Sequence, residues 1–476
     1  MNAIEALLDD IASGRRRSIR ILGASGQLGY GIPAAAFEAG LARRPDMIGC
    51  DMGSIDIGPA YLGSGKMATS RSSTKQDLRR VLGGARQLGI PLVIGSAGSA
   101  GAAPHLEGTL ELVREIAAED GLSFTLAYMP ADISRSVVKA ALREGRIRPM
   151  DTMPDLTEAD VDAAAHIVGQ MGVEAFQRAL RTGADVIIAG RACDTGIFSA
   201  LPIMAGLPVG LAIHMAKIVE CASLCCRPGG RDAILATIDN EGFELESMNP
   251  ERAATPASVA GHSLYEQADP FTIREPAGAV DLSNARFEAL DARRTRVSGA
   301  EFRPAPRQTI KLEGAVAIGS RAVLLCAAAD PSFIHRIAGV VDRIKDVVRD
   351  LVCENAPEDY QLAFRLYGID GVRPLDVDGV PPSPHEVFIL GECLAPNPER
   401  AMQVMRTTKQ YLLHLGFEGR MSTAGNLAFP FTPPEVDLGP AYRFNIYHIM
   451  EVDDISSLFP LRHEKIGNID RVNAVA

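Results

Sequence analysis

The residues with chemistry to offer stand where short apolar runs end in glycine. Gly23-Ala24-Ser25-Gly26-Gln27-Leu28-Gly29 follows the run 18–22, and Asp51-Met52-Gly53-Ser54-Ile55-Asp56 follows 46–50. Gly95-Ser96-Ala97-Gly98-Ser99-Ala100-Gly101 follows 91–94, and Gly190-Arg191-Ala192-Cys193-Asp194 follows 185–189. Glycine lets backbone N–H groups approach a ligand closely, and a helix that starts there favours negative charge. Ser25, Gly26, Ser54, Gly95, Ser96 and Gly98 are therefore candidate contacts for an anionic small molecule. Arg191 at a strand end is placed for a two-pronged carboxylate contact, with Asp194 a further candidate at the same site; the two could equally pair with each other.

His105 follows the third loop and opens a helical segment, where a histidine can move protons near neutral pH or cap the helix. Asp51 and Asp56 could divide acid and base roles or bind a hard cation; they could equally fix a turn. His214 and Lys217, with Glu220 and Cys221 beside them, share one helix face and could carry proton transfer or form a polar contact. His262 and Tyr265 read as a cap or a substrate contact. The stripe Arg71, Lys75, Arg79, Arg80 reads as a solvated helix face, with recognition of a carboxylate or phosphate as the alternative. Cys221, Cys225 and Cys226 fit no zinc spacing, so a divalent metal has no motif behind it and the cofactor is left unassigned. Cys193 reads as a packed thiol rather than a nucleophile. The spacing Gly23, Gly26, Gly29 approaches a dinucleotide loop, with Asp46 or Asp51 as the acidic partner, or makes a tight strand-to-helix turn.

These loops need a scaffold that brings them together. Val/Ile/Leu-rich runs at 18–22, 46–50, 91–94, 123–128 and 185–189 alternate with helical patterns such as 106–118 and 161–182. That order predicts an α/β fold: a Rossmann-like, mostly parallel sheet with helices on both faces. In such sheets ligands bind beyond the carboxyl ends of the strands, where every loop above falls. Segment 245–310 reads as loops with short strands. Strands at 315–329, 360–367, 386–390 and 442–452, with helices at 331–351 and 398–415, give the order of a ferredoxin-like α+β domain. The division expected is 1–300 for the ligand site and 301–476 for the second domain, with a polar, loosely ordered or contact-making tail at 456–476.

The 476 residues are 47% hydrophobic and 22% charged, ordinary for a globular chain. A net charge of −11 argues against a duplex nucleic-acid binder. No apolar run suggests a membrane span, and the start does not read as a secretory signal, so a cytoplasmic protein with reduced cysteines is expected. No serine-hydrolase elbow, phosphate-binding Walker loop, zincin or kinase motif is present.

Gly49-Cys50-Asp51-Met52-Gly53-Ser54-Ile55-Asp56 with Gly58-Pro59 and Tyr61-Leu62-Gly63-Ser64-Gly65 resembles the signature of the acyclic terpene utilisation (AtuA-like) family. Ile94–Gly98, Ala189-Gly190-Arg191 with Asp194-Thr195, Ala268-Asp269-Pro270 with Arg274-Glu275-Pro276, and Leu438-Gly439-Pro440 are similar to the same family. The resemblance implies an N-terminal AtuA-like domain, a C-terminal ferredoxin-fold domain and a catabolic setting among acyl-CoA and organic-acid enzymes. The residues 100–105 depart from the more polar pattern of relatives, which implies a different specificity.

The function expected is a lyase, a hydratase or dehydratase, acting on a carboxylic acid or its CoA thioester. An isomerase or transferase on the same substrates, or a non-catalytic ligand-binding subunit, are the alternatives. A homo-oligomer is expected, because edges of ferredoxin-like sheets need covering.

Overall fold

A computed structural model describes residues 2–265, 267–372, 384–420 and 427–467. The chain divides into two units, Met1–Val316 with Phe444–Ala476, and Ala317–Arg443. The sequence suggested one cut after residue 300; the observed division has two, because the chain comes back to the first unit.

The first unit is built on a ten-stranded sheet among the described residues. Its centre is parallel, in the order Ile19–Gly23, Met47–Asp51, Leu92–Gly95, Val186–Ala189, Phe124–Met129. Antiparallel strands extend it on both sides: Ile234–Ile238, Phe243–Ser247, Arg294–Ser298 and Arg286–Ala289 beside the first strand, Arg462–Ile466 beside the last. The sheet is therefore parallel at its centre and antiparallel at its margins, where the sequence suggested mostly parallel strands.

Alternation along each strand sends neighbours to opposite faces. Ile48, Leu92, Ile94, Val186 and Ile188 pack with the helices Ala34–Ala42, Arg71–Leu88 and Ala103–Asp120. Met47, Val93, Ala127 and Ile187 pack on the other face with Val173–Leu180, Asp194–Met204 and Val209–Val219. Both faces are covered, so the central strands are apolar along their length. The basic stripe lies on the surface: Arg71 and Lys75 pair with Glu115, and Arg79 pairs with Asp120 across to the neighbouring helix.

One expectation fails here. The segment 161–182 is not one helix: Glu158–Ala163 ends, His166–Gly169 forms a strand against residues 312–315, and Val173–Leu180 is a new helix. Gly169 and Gly172 interrupt the periodicity, and the run Ile167-Val168 between them favours a strand. Of the two readings of the tail, loosely ordered or contact-making, residues 462–466 show the contact. Arg462–Ile466 pairs along Phe124–Met129 and covers what would otherwise be an open sheet edge. Residues 468–476 of that tail lie outside the described residues.

In the second unit the strand neighbours run Gln361–Tyr367, Val387–Ala395, Gln308–Ala328, Glu435–Val452, with Gln308–Ala328 and Glu435–Val452 each giving part of their length to the first unit. Val387–Ala395 is antiparallel to both of its neighbours. The helices Pro331–Val352 and Pro398–His414 supply Ile337, Val341, Ile344, Val404 and Leu412 to the core of this unit. No helix among the described residues is long and apolar enough to cross a membrane.

Helix Asp194–Met204 lies so close to the sheet that a Cβ on Gly49 would stand 2.4 Å from the buried Phe198 ring. Gly83, inside helix Arg71–Leu88, faces open space. Chemical denaturation should therefore find Gly49→Ala destabilising by about 1–3 kcal/mol. Gly83→Ala should stabilise by about 0.5–1 kcal/mol through helix propensity.

Candidate functional site

The glycine-rich loops meet at the carboxyl ends of the parallel strands. Leu28 N–H donates to the Asp51 carbonyl, Met52 N–H to Gly95, and Ser96 N–H to Gly190. Ser99 Oγ donates to the Ser54 carbonyl at 2.9 Å. Gly53, at φ 127°, has no room for a side chain: a Cβ there would meet Gln27 at 2.4 Å and Ser99 at 2.9 Å. The third loop bends sharply, with Ser96 at φ 52° and Ser99 at φ 88°, a conformation that costs energy in a residue with a side chain.

Arg191 is the bolt through this assembly. It is 3% exposed, and its guanidinium grips Glu313, which is fully buried, at 2.7 Å and 3.2 Å. Its remaining nitrogen reaches Ser96 Oγ at 3.2 Å and the Gly53 carbonyl at 3.4 Å. Lys311 adds a second cation to Glu313 at 2.9 Å. Between two cations, the Glu313 carboxyl is held down to about 2 despite its burial. Every nitrogen of Arg191 is thus engaged inside the protein. The expectation that it grips a substrate carboxylate is corrected: its carboxylate partner is intramolecular.

Above that pair lies a cluster of carboxyl groups. Asp51 is 6% exposed; its Oδ2 accepts from Gly53 N–H at 2.9 Å, while Oδ1 has no hydrogen-bond partner among the described residues. Burial pushes its carboxyl well above the ordinary range, and Asp194 and Glu220 add to this, against the pull of Arg191 and the Gly53 N–H. Ser25, 1% exposed, also has an unpartnered Oγ. Lys217 pairs with Glu220 at 2.6 Å and stands 5.7 Å from the Tyr265 ring. Glu275, at the end of strand Thr272–Glu275, accepts from Thr195 Oγ1 at 2.9 Å and Cys193 Sγ at 3.1 Å. Burial raises the Glu275 carboxyl to about 7; the hydrogen bonds from Cys193 and Thr195 and the charge of Lys217 pull it down, and Asp194 pushes it up. Gly26, Gln27, Ser54, Cys193, Asp194 and Glu275 are partly open to solvent. Burial and the negative charges of Glu275 and Asp194 raise the Cys193 thiol, so it is no nucleophile and serves as a donor to Glu275.

Other expected site residues have different work. His105 is fully buried; Nε2–H donates to the Tyr61 and Lys66 carbonyls at 3.1 Å and 3.0 Å. It satisfies carbonyls around the end of helix Pro59–Ser64, and burial lowers its pKa, so it is a neutral structural group and not the acid or base expected. His214 lies among Phe243 and Phe287, bonds Ser263 Oγ at 3.0 Å, and is pushed down to about 3 by burial. Lys217 and Glu220 of that helix face join the cluster, and His214 does not. Asp56 is exposed, its N–H donating to Ser54 Oγ at 3.1 Å. A Cβ on Gly26 would press on the Cys221 carbonyl, one on Gly95 on Ile197, and one on Gly98 on His105, so these glycines serve close packing.

The first glycine loop does bind a carboxylate, but its own. Asp77 accepts from the N–H groups of Gly29, Gly31 and Ile32 at 2.8 Å, 2.9 Å and 3.0 Å. The dinucleotide reading fails for that reason: the anion place is filled from helix Arg71–Leu88. Cys225 and Cys226 are free thiols with sulfurs 3.9 Å apart. Among the described residues no group of three or more His, Cys, Asp or Glu is arranged to hold a metal ion.

Glu275, Glu313 and Asp77 escaped the reading of residue types. Glu313 had a signal, a lone acid in an apolar strand; Asp77 stood hidden in a basic stripe. Glu275 sits in a loop-rich stretch, marked only by the family-like Arg274-Glu275-Pro276.

A family model described as acyclic terpene utilisation family protein AtuA matches residues 19–229 and 244–429. No curated protein matches the chain, and no solved structure does.

Neutralising Glu313 leaves the buried Arg191 and the half-buried Lys311 uncompensated. Glu313→Gln should cost about 3–5 kcal/mol in chemical denaturation. His105→Ala, which strips a donor from two carbonyls, should cost about 1–3 kcal/mol.

Proposed function

The chain belongs to the acyclic terpene utilisation AtuA family, and from that premise we propose that it is an acid–base enzyme. We read it as a hydro-lyase that removes or adds water next to an acyl carbonyl, with Glu275 carrying the proton. The supporting observation is the Glu275 carboxyl: raised to about 7 by burial, and oriented by Thr195 and Cys193. A carboxyl near neutrality is suited both to take a proton and to return it.

In the dehydration direction, Glu275 takes a proton from the carbon beside the carbonyl. The released electron pair moves onto the carbonyl oxygen as an enolate. The enolate re-forms the carbonyl and a carbon–carbon double bond as the β-hydroxyl departs. Protonated Glu275 gives its proton to the departing hydroxide, which leaves as water. Lys217, paired with Glu220, places a positive charge near Glu275 and keeps its pKa from rising further.

The second unit we read as a ferredoxin-like α+β domain. The support is its strand order, with the third strand between the first two and antiparallel to both, and the helices that follow its first and third strands.

Dehydration of a 3-hydroxybutyryl thioester of N-acetylcysteamine, followed by absorbance of the unsaturated product, tests the reading. Glu275→Gln should lower kcat by about 10²–10⁴-fold; wild-type turnover in that variant removes Glu275 from the mechanism. For the wild type, kcat/KM should rise with pH through about 7 as Glu275 becomes the base. Its stability contribution has the opposite slope. Folded Glu275 keeps its proton up to about 7 and the unfolded chain only to 4.5, so the contribution is complete below 4.5 and lost as pH rises through 7.

A further inference from the structure

Two buried polar atoms at neighbouring strand ends have no partner among the described residues: Ser25 Oγ and Asp51 Oδ1. Ser25 is 1% and Asp51 6% exposed. The strands that lead to them are paired in parallel, with Gly23 opposite Gly49. Ser25 and Asp51 each stand two residues beyond that pair, at the carboxyl ends of adjacent strands. Buried polar groups are nearly always satisfied, so two orphans together mark a place where a ligand's polar atom belongs.

The surroundings define the ligand's charge. Arg191 is engaged by Glu313, and Lys217 by Glu220. The amides of Gly29, Gly31 and Ile32 are taken by Asp77. In the third loop the N–H groups of Ser96, Ala97, Ser99 and Gly101 bond backbone carbonyls. These donors are taken, while Asp194 and Glu220 bear on Asp51 and disfavour a further full negative charge beside it.

We infer that Ser25 and Asp51 form a two-donor cradle for the oxygen of a neutral acyl carbonyl, an ester, thioester or ketone, and that free carboxylates are excluded from it. This rests on the proton-transfer reading of Glu275. The Ser25 hydroxyl and a protonated Asp51 carboxyl both donate to one oxygen. Gly53 N–H holds the other Asp51 oxygen at 2.9 Å and fixes the group's direction. Burial and the charges of Asp194 and Glu220 keep the proton on Asp51, against Arg191. As the enolate forms, these two donors meet the growing negative charge without having to reorganise. The proton-taking group and the oxygen-holding groups are joined through Asp194, whose charge acts on both carboxyls.

The test pairs a protonation readout with matched probes. Infrared difference spectra at pH 7 between wild type and Asp51→Asn should show the carbonyl stretch of a protonated carboxyl group, lost in the variant. Saturation-transfer NMR should show binding of methyl crotonate and of the crotonyl N-acetylcysteamine thioester, and none of crotonate. Asp51→Ala and Ser25→Ala should each weaken the thioester by about tenfold, one hydrogen bond's worth. Asp51→Asn, which keeps a donor, should bind within about threefold of wild type on the same scale. Glu275→Gln should bind the thioester normally, so a failed Glu275 mechanism and a failed cradle give different results. An ionised Asp51, binding of crotonate as strong as that of the ester, no binding of ester and thioester, or indifference to Asp51→Ala each overturns the inference.

Discussion

Arg191 and Glu313 meet with almost no solvent between them, and three consequences follow from that one contact. An isolated charge at either position would be costly, so each requires the other. The pair ties the carboxyl end of Val186–Ala189 to the strand beginning at Gln308, which lies far along the chain. From this anchored position Arg191 reaches Ser96 and Gly53, and so draws the second and third loops to a common point. The loops also meet backbone to backbone: a Cβ on Gly101 would stand 2.1 Å from the Arg191 backbone nitrogen.

The same economy shapes the chemistry. In this acidic protein, with a formal charge of −11, carboxylates of the chain itself take up donors at the loops. Asp77 occupies the first loop and Glu313 occupies the arginine. What is left above them is a group of carboxyls with unlike surroundings. Glu313 sits between two cations and is held low; Asp51 is pushed well above the ordinary carboxyl range by burial, Asp194 and Glu220; Glu275, with Lys217 to moderate it, lies near neutrality. Carboxyls whose environments drive them apart in this way can take different roles in one reaction.

Much of this was legible in the sequence. The five central strands, the helices on both faces and the convergence of loops at the strand ends follow from glycine after apolar runs. Periodicity also located the helices Pro331–Val352 and Pro398–His414 to within a residue. What periodicity could not show was which donor met which acceptor. Arg191 and Asp51 were recognised as residues of the site, but the partner that turns Arg191 from ligand-binder to bolt lies more than a hundred positions away. His105 looked catalytic because it follows a glycine-rich loop; only the neighbouring carbonyls of Tyr61 and Lys66 reveal its structural duty. Glu275 gained its character from burial beside Cys193 and Thr195, and burial has no local signature in a loop-rich segment. The strand at Arg462–Ile466 was missed because an edge strand can be polar.

The central claim is that one carboxyl at the strand-end rim changes protonation near neutral pH. A 13C NMR titration of glutamate carboxyls, with Glu275→Gln used to assign the signal, measures this without any knowledge of the substrate. The account predicts a midpoint close to 7 for Glu275. A midpoint at the ordinary glutamate value of 4.5 would contradict it and leave the site without its proton carrier.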